Sequence, residues 1–222
     1  MALRSIKTAR RRLADDVYDQ LVDAIMNQDI SAEDRLVQEK LAAELQISRT
    51  PVREALMRLE KEGVLEVANS GGFRLARMSE DEVHQLYQAR AAIEGQAARI
   101  LAVRRNVEDL DALRRLIIEE EDLTDLTART YFAANRNIHR AFVVQAGNQY
   151  LLEMFDTIWG KAMAFHLFSA IEQVDLTKSL GHHLALVDAI ETGDRTAALN
   201  AVTDHIRDGF DLQLEGLRQL ES

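Results

Sequence analysis

Arg49 and Arg53 are the residues of this 222-residue chain whose chemistry is legible soonest. They stand four positions apart in SRTPVREALMRLEK, so on a helix both guanidinium groups project from one side, near one end. A guanidinium there suits two acceptors. A phosphate gives affinity without sequence information, whereas the O6/N7 edge of guanine gives discrimination as well. The six histidines are less telling, because imidazoles scattered along helices serve as core or surface residues more often than as ligands. Asn135 and His139, four apart, share one helical face, while His183 and His205 fall on two later helices. Imidazole nitrogens suit zinc, nickel and similar divalent ions where a fold gathers them.

The elements around the arginines read as a winged helix-turn-helix. A first helix is expected over Asp15–Asn27, with Val17, Leu21, Ala24 and Ile25 on one face, and a second over Gln38–Leu45. Gln46-Ile47-Ser48 turns the chain. Ser48 or Thr50 can cap the third helix, where Pro51 is tolerated because it lies in the first turn. Val52, Ala55, Leu56 and Leu59 form its buried stripe, which leaves Arg49, Thr50 and Arg53 outward. Gly63 ends it. Val64–Ala68 and Phe73–Arg77 then read as a hairpin around Asn69-Ser70-Gly71-Gly72.

From Ser79 on, the pattern is helical. Ser79 and Glu82 form a capping box ahead of Val83, Leu86, Tyr87, Ile93 and Ile100. Further helices are expected from Asn106 (Leu110, Leu113, Leu116 and Ile117 buried), over about 128–146, from near Asn148 with Leu151, Phe155, Ile158, Trp159 and Met163, over about 176–191, and over about 194–219. The fold class is therefore mainly α: a winged helix-turn-helix at 1–78, then an antiparallel bundle of about six helices at 79–222.

Composition restricts the possible partners. The net charge of −10 falls entirely on residues 79–222, because residues 1–78 hold 13 basic and 13 acidic side chains. Charges are screened beyond about 8–10 Å, so a basic face on a neutral head can meet DNA while an acidic body stays clear. Residues 4–12 carry five basic side chains and no acid, and read equally as a solvated tail or a DNA-contacting arm. The absence of cysteine excludes disulfides and thiolate chemistry, and fits a reducing cytoplasm. No apolar run reaches the roughly 20 residues of a membrane span, and no secretory signal opens the chain. The run Glu119-Glu120-Glu121-Asp122 reads as a solvated helix end.

SRTPVREALMRLEKEGVLE at 48–66 resembles the recognition helix and wing entry of GntR-type bacterial regulators. RAAIEGQAA at 90–98, NRNIHRAF at 135–142, HLALVDAIETGD at 183–194 and His205 resemble the FCD ligand-binding domain of the FadR-like branch. The resemblance implies a homodimer on a short palindromic operator in double-stranded DNA, released or retained by a small carboxylate effector held in the bundle. It implies a regulator, a repressor by preference, and not an enzyme. Arg49 and Arg53 would contact bases or phosphates, Thr50 the backbone, and Gly72 would bring the wing's main chain to the minor groove. Glu39 departs from the acyl-CoA-responsive member, which has an arginine there, and this implies a different operator.

The resemblance also implies a divalent metal, zinc or nickel first, on Asn135, His139, His183 and His205. Metal-binding FCD members carry an aspartate where this chain has Asn135, so the site loses one negative charge. His182 is the alternative to His183, although the spacing to Ile190 favours His183. Arg90 reads two ways, as a partner for an anionic effector or as an exposed ion pair with Glu94. Two other functions remain open: a metal-free pocket of the acyl-CoA-responsive type, and a metal-dependent enzyme with a DNA-binding appendage.

Overall fold

The computed structural model describes residues 9–160, apart from 28, 32, 70, 77–78 and 124–126, and residues 182–220. They divide into two compact units that meet in sequence at 77/78. The first holds α1 (Ala9–Met26), α2 (Gln38–Glu44), α3 (Arg49–Lys61), β1 (Leu65–Val67) and β2 (Phe73–Leu75). Helix α1 starts before Asp15 because Ala9–Ala14 are good helix formers with no glycine or proline among them. Arg10, Arg11 and Arg12 of the basic run therefore belong to α1, while Arg4 and Lys7 lie outside the described residues.

Apolar spacing decides how this unit packs. Val17, Leu21 and Ile25 of α1 join Val52, Ala55, Leu56 and Leu59 of α3, with Leu65 and Leu75, in one buried cluster. Across that seam the Tyr18 hydroxyl donates to Glu62 Oε2 at 2.6 Å, and the Arg58 guanidinium carbon lies 3.8 Å from the Tyr18 ring centroid. Gln46 takes a left-handed conformation (φ 55°) to turn α2 into α3, a role in which glycine is commoner. The strands pair antiparallel as Leu65↔Leu75, Glu66↔Arg74 and Val67↔Phe73, shorter than the sequence pattern predicts. Leu36 bridges Phe73, adding a third extended piece to the wing.

The second unit holds α4 (Glu80–Arg104), α5 (Val107–Glu121), α6 (Ala128–Gln145), α7 (Gln149–Gly160), α8 (His183–Glu191) and α9 (Arg195–Leu220). Side chains start several of them. Ser79 and Glu82 form the predicted capping box, and Asn106 Oδ1 accepts from Asp109 N at 3.2 Å. Asn148 Oδ1 accepts from the amides of Tyr150 and Leu151. Helix α4 packs on α6, α7, α8 and α9. A Cβ at Gly95 would lie 2.6 Å from Leu199 Cδ1, so a larger residue there would require the Leu199 side chain to shift. Leu113, Ile117, Tyr131, Ile138, Phe155, Trp159 and Ile190 are fully buried around this axis, while Leu116 is only half-buried. Residues 176–181, Met163 and His166 lie outside the described residues.

Candidate functional site

In the first unit, burying one side of α3 turns the other side outward. Pro51, Val52, Ala55, Leu56 and Leu59 are buried, and Arg49 and Arg53 are exposed. Thr50 between them is half-buried. Ser48 occupies the N-cap position with extended backbone, but its hydroxyl makes no capping hydrogen bond. Arg49, 66% exposed, places Nη1 3.2 Å from Glu39 Oε1 of α2, so the departure noted at position 39 pairs with Arg49 directly. An ion pair this open is worth at most about 1 kcal/mol. Gly72 has φ +80°, and a Cβ there would lie 2.7 Å from the Leu36 carbonyl oxygen. The wing's own folding therefore requires glycine at 72, whatever it touches.

In the second unit, three helices bring together groups that are far apart in sequence. His139 Nε2 of α6 stands 3.3 Å from His183 Nε2 of α8 and 3.3 Å from His205 Nε2 of α9. Asn135 Oδ1, one turn before His139, is 3.2 Å from His183 Nε2. His182, the alternative ligand, is exposed and lies outside this group. Two imidazole nitrogens about 2.0–2.1 Å from a shared tetrahedral ion stand about 3.3–3.4 Å apart, which matches the spacing of His139 from each of the other two, and all three rings offer donor atoms within 4.8 Å of one another.

Ring orientation points the same way. The Nδ1–H of His139 donates to Glu94 Oε2, and that of His183 donates to Glu121 Oε1 at 3.0 Å. A carboxylate can only accept, so Nδ1 of each ring carries the hydrogen and Nε2 is the atom turned to the centre. Burial pushes His139 down to about 4 and His205 down to about 2, which keeps both rings uncharged and able to ligate near neutral pH. Lone pairs that face one another at these distances repel unless a cation or a proton lies between them. The donor set fits a divalent ion: three imidazoles and an amide oxygen.

Arg90 is neither exposed nor open to water. It is buried, its Nε donates to Glu94 Oε1 at 2.9 Å, and its guanidinium carbon lies 4.3 Å from the Trp159 ring centroid. Burial alone would raise the Glu94 pKa, but Arg90 and then His139 outweigh it and hold the carboxyl at about 2. Arg90, Glu94 and His139 thus form one buried chain beside Trp159, and His139 stacks on that ring. This overturns the surface ion-pair reading of Arg90.

Sequence reasoning missed two carboxylates. From the sequence Glu94 reads only as a partner for Arg90, and Glu121 only as part of an acidic run. A signal was present for each. Leu113, Ile117 and Glu121 follow one another at four-residue spacing on the buried stripe of α5, and Arg90, Glu94 and Ala98 do so on α4.

Comparison with known proteins matches both units. A family model described as the FCD domain covers residues 85–208, and one described as bacterial regulatory proteins, gntR family, covers residues 13–75. A probable D-xylose utilization operon transcriptional repressor from Paenarthrobacter nicotinovorans is 29% identical over 208 residues, spanning 93% of this chain and 91% of that protein. The Nta operon transcriptional regulator of Aminobacter aminovorans is 29% identical over 185 residues, spanning 83% and 87%. Among solved structures, E. coli McbR/YncC superposes with a TM-score of 0.68 at 21% identity, covering 91% of this chain and 97% of that one.

Proposed function

The chain belongs to the FCD-domain branch of the GntR family of bacterial transcriptional regulators, and from that premise we propose that it is a repressor governed by a metal-held organic acid. The relatives and the fold are those of regulators, not enzymes. Residues 1–78 form the DNA-binding half and 79–222 the effector-binding half. Two copies grip a palindromic operator. Arg49 and Arg53 read bases or phosphates, Thr50 holds the backbone, and the wing at Gly72 follows the minor groove. No helix among the described residues is long and apolar enough to cross a membrane, and a protein that works on the chromosome works in the cytoplasm.

In the bundle, Asn135, His139, His183 and His205 would hold a zinc or nickel ion. Bound there, such an ion supplies a Lewis-acid position for a carboxylate oxygen. Arg90, already committed to Glu94, contributes a positive wall near that position. An effector that changes operator affinity by about 5–150-fold must have its own affinity changed by the same factor when operator is bound.

One observation carries the DNA-binding reading: Arg49 and Arg53 of α3 face outward while its apolar stripe is fully buried. Gel shifts on DNA selected from a random pool by the wild-type protein test it. Each bidentate guanine contact is worth about 1–3 kcal/mol, so the Arg49→Ala/Arg53→Ala protein should lose at least about tenfold in discrimination. Undiminished selectivity in that double variant would refute the assignment. A metal-free reading keeps one physical basis. Hydrogen bonds of His183 to Glu121 and to Asn135 would hold the ring at the same distances without an ion, and stoichiometric zinc uptake by untagged protein would exclude that reading.

A further inference from the structure

Three imidazoles and an amide are all neutral donors, so a divalent ion among them would keep its full charge in a buried site. Buried charge of that kind is costly unless a counter-charge stands close by. Two carboxylates touch the ligand rings: Glu94 on His139 and Glu121 on His183. Glu94 is already offset by Arg90 at 2.9 Å. Glu121 is different. Among the described residues no lysine or arginine pairs with it, its side chain is only 19% exposed, and the polar partner it meets there is the Nδ1 of a fully buried histidine.

The acidic run shows that this placement is selective. Successive helical residues turn by about 100°, so four acids in a row cannot share one direction. Glu119 and Asp122 are exposed, and Glu120 accepts from Asn137 Nδ2 at 2.8 Å. Only Glu121 continues the stripe of Leu113 and Ile117 and meets His183 on α8. A carboxylate that accepts from the far nitrogen of a ligating imidazole fixes the tautomer, aims the ring and raises its basicity.

We propose that Glu121 is the positioning residue of the bundle centre, orienting His183 and supplying the negative charge that Asn135 withholds. The inference rests on the metal-centred reading above and goes beyond it in naming the residue that makes a neutral ligand set workable. The pair also ties the C-terminal end of α5 to α8, so both helices contribute to the centre.

Zn²⁺ affinity of the full chain, measured by competition with a chromophoric chelator, tests this. Glu121→Gln keeps an oxygen that accepts from His183 but removes the charge, and should weaken Zn²⁺ binding about 10–100-fold. Adding Asn135→Asp to that variant returns the charge within the ligand set and should recover most of the loss. Glu120→Gln should bind as wild type does. Co²⁺ loaded in place of Zn²⁺ should show a visible absorption band altered by Glu121→Gln and unaltered by Glu120→Gln. Wild-type protein that binds Zn²⁺ while Glu121→Gln binds it equally well would overturn this inference alone. A double variant no tighter than Glu121→Gln would overturn the charge assignment. Wild-type protein that takes up no Zn²⁺ would overturn both this inference and the metal-centred reading.

Discussion

Arg90 shows how a residue's surroundings change its meaning. Four positions before Glu94, it reads from sequence either as a partner for an anionic effector or as a surface ion pair of about a few tenths of a kcal/mol. Within the bundle it is a buried cation stacked on Trp159 and bonded to a buried carboxylate that also holds His139. Removing one partner of a buried pair leaves the other uncompensated. Arg90→Ala should therefore lower stability by about 3–5 kcal/mol in urea melts with no effector present. Loss of effector binding with unchanged stability would instead mark Arg90 as a ligand contact only. Arg90→Lys should recover part of the stability, because the charge remains while the planar stacking does not.

Among the elements, the wing gives the sharpest case. Its two glycines were predicted as a turn, and both take positive φ, Gly71 at 82° and Gly72 at 80°. Gly72 also lies against the Leu36 carbonyl, a contact no local pattern reveals because Leu36 is 36 residues away. Gly72→Ala should destabilise the N-terminal unit by about 1–3 kcal/mol without DNA, from backbone strain and the carbonyl contact together. Equal melting of variant and wild type would show that the wing relaxes. Helix stripes were the most readable elements: Val52, Ala55, Leu56 and Leu59 are buried as their spacing requires. Ends were less so. Helix α1 extends back to Ala9, since an N-terminus without a strong cap or breaker leaves its start to propensity alone.

For the whole molecule, charge is divided along the chain. The neutral N-terminal part presents arginines, and the acidic part holds the histidine cluster. Binding at that cluster should stabilise the second unit by linkage. Zn²⁺ at 100 times its dissociation constant contributes about 2.7 kcal/mol, a rise of about 5–10 °C in that unit's melting temperature. The rise should vanish with chelator and should be as large in the Arg49→Ala/Arg53→Ala protein. A shift confined to wild type would contradict independent binding at the cluster.

The chain's residues alone determined the classes of element, the outward arginines of α3 and the family resemblance, because helix periodicity, caps and turn glycines act over only a few residues. Tertiary packing decided which acids entered the interior. Glu94 and Glu121 gain meaning only when α6 and α8 deliver imidazoles to them from 45 and 62 residues away. Local spacing can place a side chain on the buried face of its own helix. Which group it meets there depends on how separate helices pack, and no short-range rule carries that information.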